Sequence, residues 1–175
     1  MRRALSCSLL ALLLALPFSG QTAQWKQYKD TTGNFTALFP GDPQDSINKS
    51  DDDIQSHTLL AVQQPFYYTV IYTAMKSDQK VDNDTFAVFK NAVFKELPNC
   101  EVGQDGAAAP PVAGYIGRWY HLNCATSPNK VTIVGNLYWG KRYAYAVMVM
   151  FPATAADPPT TNKFLGSFAV LDQAR

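Results

Sequence analysis

In the stretch GRWYHLNC, Trp119, His121 and Asn123 recur at every second position. Side chains alternate across a regular strand, so these three project together with Tyr115. Ile116, Tyr120, Leu122 and Cys124 then point the other way, into a core. An indole, an imidazole and a primary amide on one face can hold a small ligand. General-base catalysis asks more of His121: a carboxylate to orient the ring and a nucleophile within reach. No G-x-S-x-G or comparable motif supplies either. His57 follows the acids Asp51, Asp52 and Asp53, but these are adjacent in sequence. They lack the spaced ligands and the glycine of a calcium loop, and nothing sets metal-ligand spacing to the histidine. A solvated turn accounts for them. A phosphate-cradling loop is excluded because no glycine-rich run leads into a helix. The reading assigns no catalytic, metal-ligating or cofactor-binding residue and no cofactor.

The remaining chemistry is in the cysteines. The chain opens MRRALSCSLLALLLALPFSG, with Arg2 and Arg3 ahead of the apolar run Leu9–Leu16 and small residues after it. This is the pattern of a secretory signal, and the run is short for a permanent membrane span. Residues 1–23 are read as a signal peptide cut between Ser19 and Ala23, with an uncleaved signal anchor as the rival. Residues 24–175 are read as one domain, exported to a periplasm or the cell exterior. Cys7 precedes the apolar run, too early for lipidation. Cys100 and Cys124 stay with the mature part, and an even pair in an exported chain reads as a disulfide, two free thiols being the alternative. A bridge over about 24 residues stabilises by about 3 kcal/mol.

The chain carries 15 Lys and Arg against 14 Asp and Glu, with two of the arginines in the leader. The mature part is nearly neutral. It has no basic footprint for nucleic acid, no polybasic patch for a membrane surface, and no later segment of transmembrane length. The sequons at Asn34, Asn48 and Asn83 bear on function only in a host that glycosylates exported proteins.

The elements that would position these residues follow from periodicity. Trp25 to Tyr28 reads as a lead-in strand. Asn34 to Phe39 alternates, with Phe35, Ala37 and Phe39 on one side, until Pro40-Gly41-Asp42-Pro43 stops it. Ile54–Gln63 and Phe66–Met75 read as a hairpin across Gln64-Pro65. Asn83–Leu97 is an amphipathic helix presenting Phe86, Phe89, Val93, Phe94 and Leu97, capped by Asn83 or Asp84. After Cys100 the AAAPPVAG run reads as a loop. Strands at Tyr115–Cys124, Lys130–Trp139 and Lys141–Phe151 follow. The last is apolar on both sides, which calls for cover on both faces. Asp157 as cap and Pro158 as first helical residue open a short helix to about Gly166, with a final strand in Ser167–Leu171. These elements sum to an α+β domain: a central antiparallel sheet with helices packed on both faces.

NFTALFPGDP, GYIGRWY and LYWGKRYAYAVMVMFP…NKFLGSFAVL resemble exported PsbP-like domains and, loosely, DcrB-type envelope proteins. The resemblance spans most of the mature chain through structural motifs. It implies an α/β/α sandwich and a role in binding other proteins, and it transfers no site residue. The expected function is an exported, non-enzymatic domain that binds or helps assemble another envelope or extracellular protein. Tyr67, Tyr138 and Trp139 are candidates for an exposed aromatic patch, with core packing as the competing account. The alternatives are a small-ligand carrier using the Trp119, His121 and Asn123 face, and a hydrolase without a recognisable motif. The pairing of Cys100 with Cys124 is checked by thiol titration of the mature protein, unfolded without reductant. No thiol should titrate, and two would refute the bridge.

Overall fold

A computed structural model describes residues 24–49, 55–75, 78–97, 99–125, 130–156 and 158–171. The leader 1–23, the acids Asp51–Asp53, the Pro128-Asn129 turn and the expected cap Asp157 lie outside the described residues. Ten strands and two helices are formed among the described residues. In chain order they are β1 Lys26–Asp30, β2 Phe35–Phe39, β3 Gln44–Lys49, β4 Gln55–Gln63, β5 Phe66–Ala74, α1 Asn83–Lys95, β6 Cys100–Ala107, β7 Ile116–Ala125, β8 Lys130–Trp139, β9 Tyr143–Pro152, α2 Pro159–Ser167 and β10 Ala169–Val170.

Seven strands pair in the order β3-β4-β5-β9-β8-β7-β6, and β1-β2-β10 form a second sheet of three. Every pairing is antiparallel. The expected α/β/α sandwich is therefore overturned. The described chain is mostly strand, and the face of the large sheet opposite α1 is covered by the small sheet with α2 beside it. The physical reason lies in where the aromatic bulk sits. Phe35, Ala37 and Phe39 of β2 are fully buried against the large sheet, a whole strand face, whereas α2 buries only Thr161, Phe164 and Leu165. A nine-residue helix presents too little apolar surface to form a layer alone.

The core divides into two clusters, one on each side of the large sheet. On the inner side, Tyr68, Val70 and Tyr72 of β5 and Tyr145, Val147 and Val149 of β9 meet Phe35, Phe39, Phe164 and Phe168. Phe164 packs edge-on against both Phe39 and Tyr68, at centroid distances of 5.2 and 5.4 Å. On the helix side, Leu122 of β7, Ile133 and Leu137 of β8, and Ala144 and Ala146 of β9 lie with Phe86 of α1. β9 is central, and Ala144–Val147 are buried on both faces, as their two-sided apolar pattern demands, while Met150 near its end is exposed.

The stop after β2 matches the sequence reading. Gly41 has φ 136°, a conformation open to glycine and strained for side-chain residues, so the turn needs this residue whatever the space around it. Two strands have no apolar periodicity to announce them. β3 is exposed at all six positions, and β6 is exposed at six of its eight. They are the two edges of the large sheet, where neither face is pressed into a core. Cys100 and Cys124 stand directly opposite each other in the β6–β7 ladder and form a disulfide that staples one of these edges. Replacing Phe39 with alanine removes a fully buried ring. It should cost about 3–5 kcal/mol of unfolding free energy in urea titration. A loss below about 1 kcal/mol would show that β2 is not part of the core.

Candidate functional site

Trp119, His121 and Asn123 do share one face of β7, but no common cavity gathers them. Trp119 is half-buried against the inner core and lines a cleft of about 430 Å³ with Pro110, Asn162 and Leu165. Asn123 is exposed and lines a different cleft, of about 340 Å³, with Glu101 and Lys130. His121 lines neither of these, and its ring centre stands 6.4 Å from that of Trp119. Among the described residues no carboxylate or hydroxyl orients the His121 ring. His57 has a carboxylate partner, though not from the acidic run upstream. Its Nδ1 lies 3.3 Å from Asp45 Oδ2 on β3, and its ring stacks on Tyr72 at 4.7 Å. Burial holds the Tyr72 phenol well above its ordinary pKa, with Asp30 and Asp45 adding to the rise, so it is no nucleophile near neutral pH. Among the described residues no group of three or more His, Cys, Asp or Glu could hold a metal ion.

The expected aromatic patch is mostly core: Tyr138 is fully buried and Trp139 nearly so, while Tyr67 remains exposed. Trp139 instead lines a large cavity on the helix side. Between α1 and the large sheet runs a groove of about 610 Å³. Its floor is Ile71 and Thr73 of β5 and Ala144, Ala146 and Met148 of β9; its wall is Val88, Phe89, Ala92 and Val93 of α1.

Side-chain size explains why this space exists. β9 alternates large and small, sending Tyr145, Val147 and Val149 to the inner core and Ala144 and Ala146 to the helix side. α1 rests on the bulkier strands next door. Phe89 stacks on Trp139 at 5.2 Å, and Phe94 meets Tyr120 edge-on at 5.1 Å. The alanines of β9 leave space under the helix, so α1 buries Phe86 and leaves Phe89, Val93 and Phe94, with Leu97 just beyond it, only half-buried. Gly135 of β8 belongs to the same close packing. A Cβ there would stand 2.6 Å from the Val147 carbonyl oxygen and 2.7 Å from the Met148 side chain. The nearer contact is backbone, so a side chain at Gly135 would press on the β8–β9 ladder itself.

The helix is held in place at its start. Asp82, not Asn83 or Asp84, is the N-cap. Its Oδ1 accepts the Thr85 N–H at 2.9 Å, and the Asp82 N–H reaches Thr85 Oγ1 at 3.3 Å, a reciprocal box. The Trp139 indole N–H donates to Thr85 Oγ1 at 3.0 Å and to the Lys80 carbonyl oxygen at 3.1 Å, so β8 carries the cap. Lys80 Nζ sits 2.5 Å from Asp82 Oδ2. That ammonium, then the Thr85 amide and hydroxyl, hold the Asp82 carboxyl at about 2, below its ordinary 3.8.

The groove's chemistry is simple. Its lining is overwhelmingly apolar, Ser56, Thr73 and Gln79 add neutral polar groups, and Glu96 is the one ionisable residue among the described lining. Such a site can enclose an apolar molecule, and its described lining offers no cation to an anionic head. Sequence reasoning missed it because its apolar lining residues read equally well as core; only the Ala144 and Ala146 pair, small residues under a helix of phenylalanines, could have hinted at it.

Because the Asp82 pKa is depressed, the cap contributes in full above about pH 4 and is lost as the pH falls through about 2. Asp82→Asn should therefore flatten the fall in melting temperature between pH 4 and pH 2, and added salt should narrow the difference because the Lys80 ammonium is exposed. Parallel pH profiles for the two proteins would exclude this role. No family model, curated protein or solved structure matches the chain, so the comparisons lend no support to the PsbP-like resemblance.

Proposed function

We propose that the protein is an exported, non-catalytic binding domain that holds a small, uncharged apolar ligand between α1 and the large sheet. The observation that carries this reading is the 610 Å³ apolar groove, whose size falls within the range of small-molecule sites. The leader pattern and the Cys100–Cys124 bridge favour an oxidising compartment. No helix among the described residues is long and apolar enough to cross a membrane. The carrier alternative thus moves from the Trp119, His121 and Asn123 face of β7 to the opposite side of the sheet.

A protein partner remains the second reading, favoured by a separate observation. Val62, Tyr67 and Met150 are exposed by 46, 40 and 36 %, and they lie side by side across β4, β5 and β9 on the helix side. An apolar segment of another protein laid along that row would bury them beside the groove.

Charge and volume separate these readings. N-phenyl-1-naphthylamine, which is neutral, should bind with a fluorescence rise and quench Trp139. Its sulfonated, anionic analogue should bind at least about tenfold more weakly, with Glu96 in the lining and no cation among its described residues. Ala92→Trp places an indole in the groove from an exposed helix position. It should abolish naphthylamine binding without lowering the melting temperature. Unchanged binding in Ala92→Trp would move the ligand site elsewhere, and binding lost only in Tyr67→Lys would favour the partner reading.

A further inference from the structure

The large sheet has two free edges, and they are not alike. The β6 edge carries a bulge between Val102 and Gln104 and glycines at 103 and 106, features that interrupt a ladder and discourage a further strand. The β3 edge has none of these. Gln44–Lys49 pairs with β4 in unbroken register, contains neither proline nor glycine, and is exposed along its whole length. Its outer edge therefore presents a regular row of backbone donors and acceptors.

A charged edge ordinarily repels another strand, and β3 carries Asp45 and Lys49. Their placement reverses that effect for one particular partner. Asp45 and Lys49 lie two residues before and two residues after Ile47, and all three share the inner face, where Ile47 is opposite His57 and Asp45 opposite Leu59. Ile47 is 55 % exposed, an apolar side chain on an otherwise polar strand. We propose that β3 is a docking edge for a second copy of this chain, the two strands running antiparallel about a two-fold axis through Ile47. In that register Ile47 meets Ile47 of the partner copy, Ser46 meets Asn48, and Asp45 meets Lys49 twice, once on each side of the axis. Both opposite-charge pairs and the apolar pair are formed together, as a self-complementary interface requires. A register shifted by two residues in either direction loses the isoleucine pair and both ion pairs.

The pairing joins two seven-stranded sheets into one of fourteen. The axis stands perpendicular to the sheet, so the helix sides of both copies face the same way. The two apolar grooves then open on one continuous surface, flanking a strip of polar residues: Gln44, Ser46 and Asn48 from each β3. The inference is independent of what the groove holds.

Light scattering across a concentration series should show the protein passing from one chain to two. Asp45→Lys and Lys49→Asp should each weaken the dimer by about tenfold, because each places like charges opposite one another. The double variant Asp45→Lys/Lys49→Asp should restore it. Asp45 also faces His57, so circular dichroism must show each variant folded; Lys49→Asp and Ile47→Cys keep the test open if Asp45→Lys unfolds. Ile47→Cys should cross-link to its own copy under mild oxidation, since directly opposed residues have Cα atoms about 4.5–5.5 Å apart. Ser46→Cys, displaced along the strand from its equivalent, should not. A chain monomeric at every concentration, or a dimer indifferent to both single charge reversals, would overturn the proposal.

Discussion

Tyr145 sits where the two sheets meet, and the inner core is organised around it. Its ring is fully buried, 5.1 Å from Phe168 and 6.0 Å from Phe35, and it stacks on Tyr143 of the same strand. A phenol hydroxyl in such a place is costly unless it finds a partner. It donates to the Gly33 carbonyl oxygen at 2.8 Å, in the turn between β1 and β2. The Gly33 N–H in turn donates to Asp30 Oδ1 at 2.7 Å, which satisfies the other side of that turn. One side chain thus fixes how the small sheet lies on the large one. The burial that makes this possible also raises the phenol's pKa far above its ordinary value, so it stays neutral and keeps donating.

The opposite face of the same strand decides where a ligand can enter. β9 places its aromatic and branched side chains toward the small sheet and its alanines toward α1. Interiors pack to nearly crystalline density when side chains can fill the space. Over Ala144 and Ala146 they cannot, because α1 is held off by Trp139 and Tyr120 and locked at its start by the Asp82 box. A rigid helix over small residues leaves a groove with apolar walls. The indole of Trp139 serves both purposes: it anchors the helix by hydrogen bonds and lines the cavity by its ring.

The residues with the most evident chemistry prove less informative than the residues with none. Trp119, His121 and Asn123 alternate as drawn, yet the surrounding elements place Trp119 in one cleft, Asn123 in another and His121 in neither. A shared face is a property of one strand, whereas a shared cavity needs walls from elsewhere. His57 likewise finds its acid across the β3–β4 ladder, at Asp45, through a strand whose polar sequence conceals it.

The sequence by itself determined the strands whose side chains alternate into a core. β2, β4, β5, β7, β8 and β9 all fall within a residue or two of their expected bounds, as does α1. It also determined the turn at Gly41, the pairing of the two later cysteines and the burial of Ala144–Val147 of β9 on both faces. Periodicity reports burial, so it was silent on β3 and β6, which are edges, and mute about what covers each face. Tertiary structure alone decided that a second sheet, rather than a helix layer, closes the inner side. It alone left the helix side partly open, because whether an apolar residue lines a core or a groove depends on the size of the side chain it meets across the gap.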